Sequence, residues 1–187
     1  MQMVTADVFT AEDYLAWEEL QEEKHEYVGA EVFAMGGVRR EHVVAGNVFA
    51  ALKQRLRGTP CQVYISDMKL RVEQVDAFFY PDVMVSCDKQ DQQAEQFLTV
   101  PSLIIEVLSD STEAYDRGAK FAAYRQIDSL KEYVLIDIKA RRVECFRRTA
   151  ENDWLLHICE AAVCDLYAVE TSIALSEIFE GLADSQQ

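Results

Sequence analysis

The sequence lacks the segments that carry a protein into or across a membrane. No apolar run reaches the roughly 20 residues that a membrane-spanning helix needs. Residues 1–7 contain neither the basic segment nor the apolar stretch of a secretory signal. These absences predict a cytoplasmic protein.

Cysteine is present, but not in the spacing of a common zinc site. The five cysteines form no Cys-x-x-Cys pair, and four of them lie in apolar or strand-like surroundings. A reduced cysteine in such surroundings behaves as a small hydrophobic residue. We therefore expect no structural zinc site among Cys61, Cys87, Cys145, Cys159 and Cys164.

Basic residues are scarce, with 18 lysines and arginines against 33 aspartates and glutamates, and the net charge is −15. This balance opposes nucleic-acid binding, because affinity for nucleic acids depends largely on neutralising phosphates with lysine and arginine. Residues 150–187 contain no basic side chain except His157, whereas segments 39–57 and 139–148 are rich in lysine and arginine. Each of these two segments is either a solvated face or a surface that meets phosphates.

Internal repeats, low-complexity tracts and linkers rich in proline or glycine are absent, so residues 1–187 are predicted to form a single domain. Segment 103–108 shows no alternation of apolar and polar residues, since Ile104, Ile105, Val107 and Leu108 are all apolar, and this predicts a strand covered on both faces, as in an α/β sandwich. The apolar C-terminal segment is expected to pack on the core or on a second subunit. Apolar periodicity predicts helices at 11–23, 42–56 and 116–126 and hairpins at 25–35 and 133–147. It also predicts strands of one central sheet at 61–72, 77–87 and 103–108, and an edge strand at 154–159.

Three polar side chains stand out against this apolar background. Asp82 follows Pro81, Glu106 interrupts the apolar run 103–108, and Lys120 lies on the helix predicted after that run. A carboxylate inside an apolar strand is costly to bury unless a cation or metal ion accompanies it. Asp82 and Glu106 on neighbouring strands are therefore expected to share a ligand, and their oxygens suit a hard divalent cation such as Mg²⁺.

The order and spacing of several motifs resemble a family known as "putative restriction endonucleases", which belongs to the PD-(D/E)xK nuclease superfamily and was formerly a domain of unknown function. The resemblance extends over nearly the whole chain. It implies a restriction-endonuclease-like three-layer α/β/α sandwich with a mixed central sheet. The matching residues are Glu26-Tyr27-Val28-Gly29-Ala30-Glu31, His42, Tyr80-Pro81-Asp82-Val83, Pro101 to Ser109, Asp116 to Tyr124 and Glu132 to Asp137.

The resemblance also implies roles for individual residues. The superfamily usually has a lysine two positions after the second acidic residue, but this chain has Leu108 there, and Lys120 is the expected substitute. Asp116, Lys120 and Tyr124 recur at four-residue spacing, which places them on one helical face. Lys120 alternatively forms a simple ion pair with Asp116. Glu31 is a candidate third carboxylate or else an exposed hairpin residue. His42 is a candidate catalytic residue or else a packing residue at a helix start.

The predicted activity is Mg²⁺-dependent hydrolysis of DNA phosphodiester bonds, with Mn²⁺ as a possible substitute for Mg²⁺. The predicted catalytic set is Asp82, Glu106, Lys120, Glu31 and His42, with Asp82 and Glu106 as metal ligands. A homodimer is expected, because nucleases that cut both strands of a duplex often act as symmetric dimers. Two alternatives stay open: a non-catalytic interaction module on a nuclease scaffold, and a metal-dependent phosphohydrolase acting on RNA or nucleotides.

Overall fold

The structure, a computed structural model, describes residues 2–4, 10–35 and 39–182 of the chain. The helices are α1 (Ala11–Glu18), α2 (Arg39–Arg55), α3 (Lys89–Gln92), α4 (Glu113–Tyr115), α5 (Phe121–Tyr124) and α6 (Leu175–Ile178), and a π-helical turn, Asp116–Lys120, joins α4 to α5. The strands are β1 (Gln2–Val4), β2 (His25–Val28), β3 (Glu31–Ala34), β4 (Gln62–Ile65), β5 (Lys69–Val72), β6 (Ala77–Phe79), β7 (Val83–Ser86), β8 (Phe97–Leu98), β9 (Leu103–Leu108), β10 (Glu132–Asp137), β11 (Arg142–Arg148), β12 (Trp154–Ile158), β13 (Val163–Leu166) and β14 (Thr171–Ala174).

Local sequence signals account for the first elements. Thr10 caps α1 by accepting a hydrogen bond from the backbone of Asp13, whose side chain in turn accepts one from the backbone of Thr10. The β2–β3 hairpin turns at Gly29 and Ala30, which have φ angles of 56° and 70°. Two successive left-handed residues are the conformation of a tight hairpin turn, and a glycine in the first position makes it accessible.

Two six-stranded sheets form the frame, where a single central sheet was predicted. The sheet that contains β9 has the order β12-β11-β10-β9-β7-β4 and is mixed, because β9 and β10 are parallel and the other pairs are antiparallel. The other sheet has the order β1-β3-β2-β6-β5-β8. The predicted strands 61–72 and 77–87 were wrong in extent, since each breaks at a polar turn and contributes one strand to each sheet.

The sheet that contains β9 is covered on both faces, as the apolar run 103–108 predicted. One face packs against α2 and the C-terminal elements β13, β14 and α6, through a core that includes Ile105, Val107, Val134 and Ile173. The other face packs against α5 and the second sheet, through a core that includes Ile104, Leu135 and Phe121. The chain is therefore an α/β protein with layers on both sides of a mixed sheet, which is the predicted fold class.

The C-terminal segment packs on this core, as expected. Leu166, Ile173, Ile178 and Phe179 are all buried there. Across residues 2–4, 10–35 and 39–182, no helix combines the length and apolar character required to cross a bilayer.

The cysteines depart from the expectation of five reduced, separate side chains. Cys61 is disulfide-bonded to Cys87, and Cys159 to Cys164, while Cys145 is a free buried thiol. Cys61 and Cys87 meet because β4 and β7 are antiparallel neighbours. Cys61 directly precedes β4, and Cys87 directly follows β7. Sequence spacing alone does not reveal such a pairing, since it depends on sheet order.

Candidate active site

Asp82 and Glu106 lie side by side because β7 and β9 are antiparallel neighbours. Asp82 precedes β7, and its backbone N–H donates to Oε2 of Glu106 at 3.2 Å. In return, Oδ2 of Asp82 accepts a hydrogen bond from the backbone N–H of Val107 at 2.8 Å. Asp82 and Glu106, which were predicted to meet, are thus held together by two hydrogen bonds, one from the backbone of Asp82 and one from the backbone of Val107.

Lys120 reaches the same place from the π-helical turn. Its Nζ atom lies 3.0 Å from Oε1 of Glu106 and 3.7 Å from Oδ1 of Asp116. The hydroxyl of Tyr124, one turn later, donates to Oε1 of Glu106 at 2.8 Å. The predicted helical face of Asp116, Lys120 and Tyr124 is therefore directed at Glu106, although the predicted continuous helix 116–126 is interrupted. Widened turns of this kind occur often at functional sites.

Glu26 is the member of the cluster that the sequence did not single out. It lies on β2, is 3% exposed, and its Oε1 atom is 3.0 Å from Nζ of Lys120. The backbone N–H of Tyr80 also donates to Glu26, at 3.4 Å. The pairing of β2 with β6 brings Glu26 next to the segment that leads to Asp82.

Glu31 does not join the cluster and is the exposed hairpin residue that was the alternative to a third carboxylate. It starts β3 with an exposed side chain and is not among the residues that line the cavity at the carboxylates. The reason is the tight turn at Gly29 and Ala30, after which the chain runs back along β2. Glu26 occupies the position beside Lys120 instead.

A cavity of about 330 Å³ opens onto these groups. Asp82, Glu106, Asp116 and Lys120 all contribute to its wall. His42 lies at the wall as well, on the first turns of α2, so four of the five predicted site residues share one cavity. The side chain of His42 is exposed.

The cavity wall is held by a second, buried polar network. The hydroxyl of Tyr80 donates to Oε1 of Glu18 at 3.0 Å, and Oε2 of Glu18 lies 3.1 Å from Nδ1 of His25. The hydroxyl of Tyr14 donates to the backbone oxygen of His25 at 2.6 Å. Because Tyr80 is two residues from Asp82, this network fixes the approach of the chain to the site.

Burial raises the pKa of three of the carboxyl groups. The pKa of Asp82 rises to about 6, mainly through burial and in spite of the hydrogen bond from Val107. Burial raises the pKa of Glu106 to about 7, an effect that Lys120 reduces and the charge of Asp82 increases. Burial and the charge of Glu106 raise the pKa of Asp116 to about 7. These groups therefore hold protons more tightly than carboxyl groups in water.

Lys120 stays charged in this environment. Burial alone would lower its pKa, but the carboxylates of Glu106 and Glu26 outweigh that effect and hold the pKa well above its usual value. One ammonium group thus faces four carboxyl groups of the described residues, counting Asp82 and Asp116 with those two. If all four are ionised the site carries an excess of negative charge.

A hard divalent cation fits the donor set that faces the cavity. All the acidic donors are carboxylate oxygens, the ligand type that Mg²⁺ and Mn²⁺ prefer. Asp82 accepts the hydrogen bond from the backbone of Val107 through Oδ2, and both Asp82 and Glu106 line the cavity. Asp82 and Glu106 would hold the ion, and its two positive charges would favour the ionised form of both carboxyl groups, whose pKa values are raised mainly by burial.

Both basic segments contain arginines that form ion pairs within the protein. Arg147 pairs with Glu132 at 2.9 Å and Arg142 with Glu144 at 2.7 Å. Arg55 pairs with Glu177 at 2.5 Å. The pairs of Arg142 and Arg147 favour the structural interpretation of segment 139–148 over a phosphate-facing role, whereas Arg55 is one of five lysines and arginines in segment 39–57.

Comparison with known proteins agrees with this architecture. A family model, Uma2, described as "Putative restriction endonuclease", matches residues 11–183. The protein slr1290 of Synechocystis sp. is 37% identical over 174 residues, which cover 92% of each chain. A second protein of the same organism, sll1609, is 35% identical over 159 residues, covering 83% of this chain and 90% of that protein.

The fold also occurs in a solved structure. The crystal structure of "a putative nuclease belonging to DUF820" from Anabaena variabilis superposes with a TM-score of 0.73, covering 91% of this chain and 97% of that chain. The sequence identity is 13%, so this similarity concerns the fold.

Proposed function

Because the chain belongs to the Uma2 family of restriction-endonuclease-like proteins, we propose that it is a metal-dependent endonuclease that hydrolyses phosphodiester bonds in DNA. The observation that carries the proposal is the convergence of Asp82, Glu106 and Lys120 on one cavity. Two acidic oxygen donors and a lysine are the groups that phosphodiester hydrolysis requires.

Mg²⁺, or Mn²⁺ in its place, would be held by Asp82 and Glu106 and would supply Lewis-acid activation of water and phosphate at neutral pH. Lys120 is fixed by Glu106 and Glu26, so its ammonium group is positioned before the substrate arrives. From there it would stabilise the negative charge that develops on the transferring phosphate. Tyr124 orients Glu106 through its hydrogen bond to Oε1.

The first turn of α2 lies at the mouth of the cavity, because Glu41 and His42 belong to its wall. The partial positive charge of a helix N-terminus favours an approaching phosphate. His42 would contact that phosphate instead of the metal ion, since its side chain is exposed at the rim.

A second candidate function is the hydrolysis of RNA or nucleotides at the same site. The net charge of −15 and the internal pairing of Arg55, Arg142 and Arg147 favour it, because a small phosphate ester needs no long basic track.

The proposed homodimer would help a nuclease to reach both strands of a duplex, and sedimentation velocity would measure it.

The test is cleavage of supercoiled plasmid DNA by purified protein with Mg²⁺, with Mn²⁺ and with a chelator. We expect metal-dependent cleavage by the wild type and a loss of at least about 100-fold in Asp82→Asn and Glu106→Gln. Glu31→Gln is the matched control, because Glu31 is an exposed acidic residue outside the cavity. Cleavage of RNA or nucleotides but not DNA would select the second candidate, and equal behaviour of all variants would contradict both.

A further inference from the structure

Three cysteines from separate elements converge on the opposite face of the mixed sheet from Glu106. Cys145 lies in β11, Cys159 directly follows β12, and Cys164 lies in β13. They are 0%, 7% and 1% exposed. Their sulfur atoms all lie within 4.8 Å of one another, inside the apolar core that also contains Val143 and Ile173.

The pairing of two of these cysteines leaves the third without a chemical role. With Cys159 and Cys164 joined, the thiol of Cys145 lies 3.7 Å from Sγ of Cys159 and 3.6 Å from Sγ of Cys164. Burial raises the pKa of the Cys145 thiol to about 12. A thiol that ionises so reluctantly is a weak nucleophile, so the cluster does not suit thiol–disulfide exchange.

The distances from Cys145 match a different use of three sulfurs. Two thiolates bound to one zinc ion at about 2.3 Å in tetrahedral geometry lie roughly 3.8 Å apart. A zinc ion also displaces thiol protons directly, which makes a buried, apolar position compatible with thiolate ligands. Carboxylate oxygens at Asp82 and Glu106 suit hard cations, so the two sites differ in the metal that they select.

We propose that Cys145, Cys159 and Cys164, when reduced, bind one Zn²⁺ ion through their three thiolates. Three cysteine thiolates are part of established ligand sets for structural zinc. His157 is opposite Cys145 in the β11–β12 register, but its side chain is exposed and lies outside this group of sulfur atoms.

Zinc binding requires prior reduction of the Cys159–Cys164 disulfide. A dithiol reductant transfers two electrons and two protons to this disulfide. One S–S bond breaks, two thiols form, and the reductant becomes a disulfide. Binding of Zn²⁺ then releases three protons, one from each thiol. The ion would tie β11 and β12 to β13, and so fasten the β13–β14 hairpin to the sheet.

The test is metal analysis of the full chain purified under a phosphine reductant, followed by titration with Co²⁺ as a spectroscopic probe. We expect one equivalent of bound zinc per chain. Cobalt should produce thiolate-to-metal charge-transfer absorption that saturates at one equivalent of added Co²⁺. Cys145→Ser should weaken zinc binding by more than about 100-fold, since even loss of a residue that only supports a ligand costs 10–100-fold. His157→Ala should leave zinc binding unchanged, because the side chain of His157 is exposed and outside the group of three sulfur atoms.

The matched control is the double variant Cys61→Ser and Cys87→Ser, which removes two cysteines outside the cluster and should keep the full metal content. Reduced wild-type protein without zinc and without cobalt charge-transfer absorption would overturn the proposal, whatever the variants do. Equal zinc affinity of Cys145→Ser and wild type would overturn it too. Plasmid cleavage tests the carboxylate site independently of zinc binding, because that site includes none of these residues.

Discussion

Lys120 and Glu106 form a buried ion pair of 3.0 Å between the π-helical turn and β9. Both side chains are almost completely buried, and Glu26 and Tyr124 contact the same pair. The pair explains how a lysine can serve the site although Leu108, two residues after Glu106, is an apolar core residue. The lysine approaches Glu106 from a neighbouring helix instead of from the same strand.

Removal of Lys120 should destabilise the fold as well as abolish cleavage. Lys120→Met keeps the length of the side chain but leaves Glu26 and Glu106 without their counter-ion, and breaking a buried pair in this way costs about 3–5 kcal/mol. The double variant with Glu26→Gln should recover part of that loss, because one of the two stranded charges is gone. Urea unfolding of the single and double variants measures this coupling. Strictly additive effects would show that Glu26 and Lys120 do not interact in solution.

Loss of the Tyr124 hydroxyl should weaken metal binding without unfolding the protein. Tyr124→Phe removes the hydrogen bond to Oε1 of Glu106 and keeps the aromatic packing against Phe79 and Tyr133. A ligand that loses its orienting hydrogen bond typically binds metal about 10-fold less tightly. The Mg²⁺ concentration for half-maximal cleavage should rise by about that factor. Tyr167→Phe, at an exposed tyrosine that does not line the cavity at Glu106, is the control.

Asp82→Asn should stabilise the metal-free protein at pH 8. The pKa of Asp82 is about 6 in the folded chain, against an ordinary value of 3.8, so the unfolded chain loses this proton first as the pH rises. The contribution of this carboxyl group to the free energy of unfolding is therefore complete below about pH 4, and it is lost as the pH rises to about 6. Asparagine avoids that loss and can still accept from the N–H of Val107, so we expect a gain of about 1–2 kcal/mol.

Chemical denaturation at pH 8 and pH 4 in the presence of a chelator measures this effect. The gain should disappear at pH 4, and saturating Mg²⁺ should abolish or reverse it, because only the wild type binds the ion with both carboxylates. A stabilisation that is the same at both pH values would assign the effect to packing and not to charge.

Cleavage at low Mg²⁺ should increase as the pH rises from 5 to 8. Protons compete with the metal ion for Asp82 and Glu106, whose pKa values are about 6 and about 7. Both groups are largely protonated at pH 5 and largely ionised at pH 8. Rates measured at sub-saturating Mg²⁺ should rise by at least about 10-fold over this range. At saturating Mg²⁺ the rise in rate should move to lower pH. A pH–rate profile that does not change with Mg²⁺ concentration would argue against Asp82 and Glu106 as metal ligands.

The sequence made part of this site predictable. A carboxylate within the apolar run 103–108 and another after Pro81 are costly unless they share a ligand, and this reasoning placed Asp82 and Glu106 together. The spacing of Asp116, Lys120 and Tyr124 predicted a shared helical face, and all three now contact or approach Glu106. Periodicity also located β9, whose bounds match the predicted strand.

Other features depend on long-range contacts that periodicity does not encode. Glu26 alternates with the buried Tyr27 along β2 and so resembles a solvent-facing strand residue, but in the fold it is buried in contact with Lys120 and Tyr80. The short polar turns at Ser66 and at Pro81 divide two apolar runs between two sheets, which spacing alone did not indicate. The clustered cysteines come from three strands and share no local motif.

Binding of one divalent cation by Asp82 and Glu106 is the claim on which the proposed activity depends. Titration of the protein with Mn²⁺ at pH 8, with free Mn²⁺ followed by electron paramagnetic resonance, tests it most directly. The account predicts one bound Mn²⁺ per chain in the wild type and in Glu31→Gln, displaced by Mg²⁺, and no such binding in Asp82→Asn or Glu106→Gln. Wild-type protein that leaves all Mn²⁺ free, or variants that bind it as the wild type does, would contradict the account.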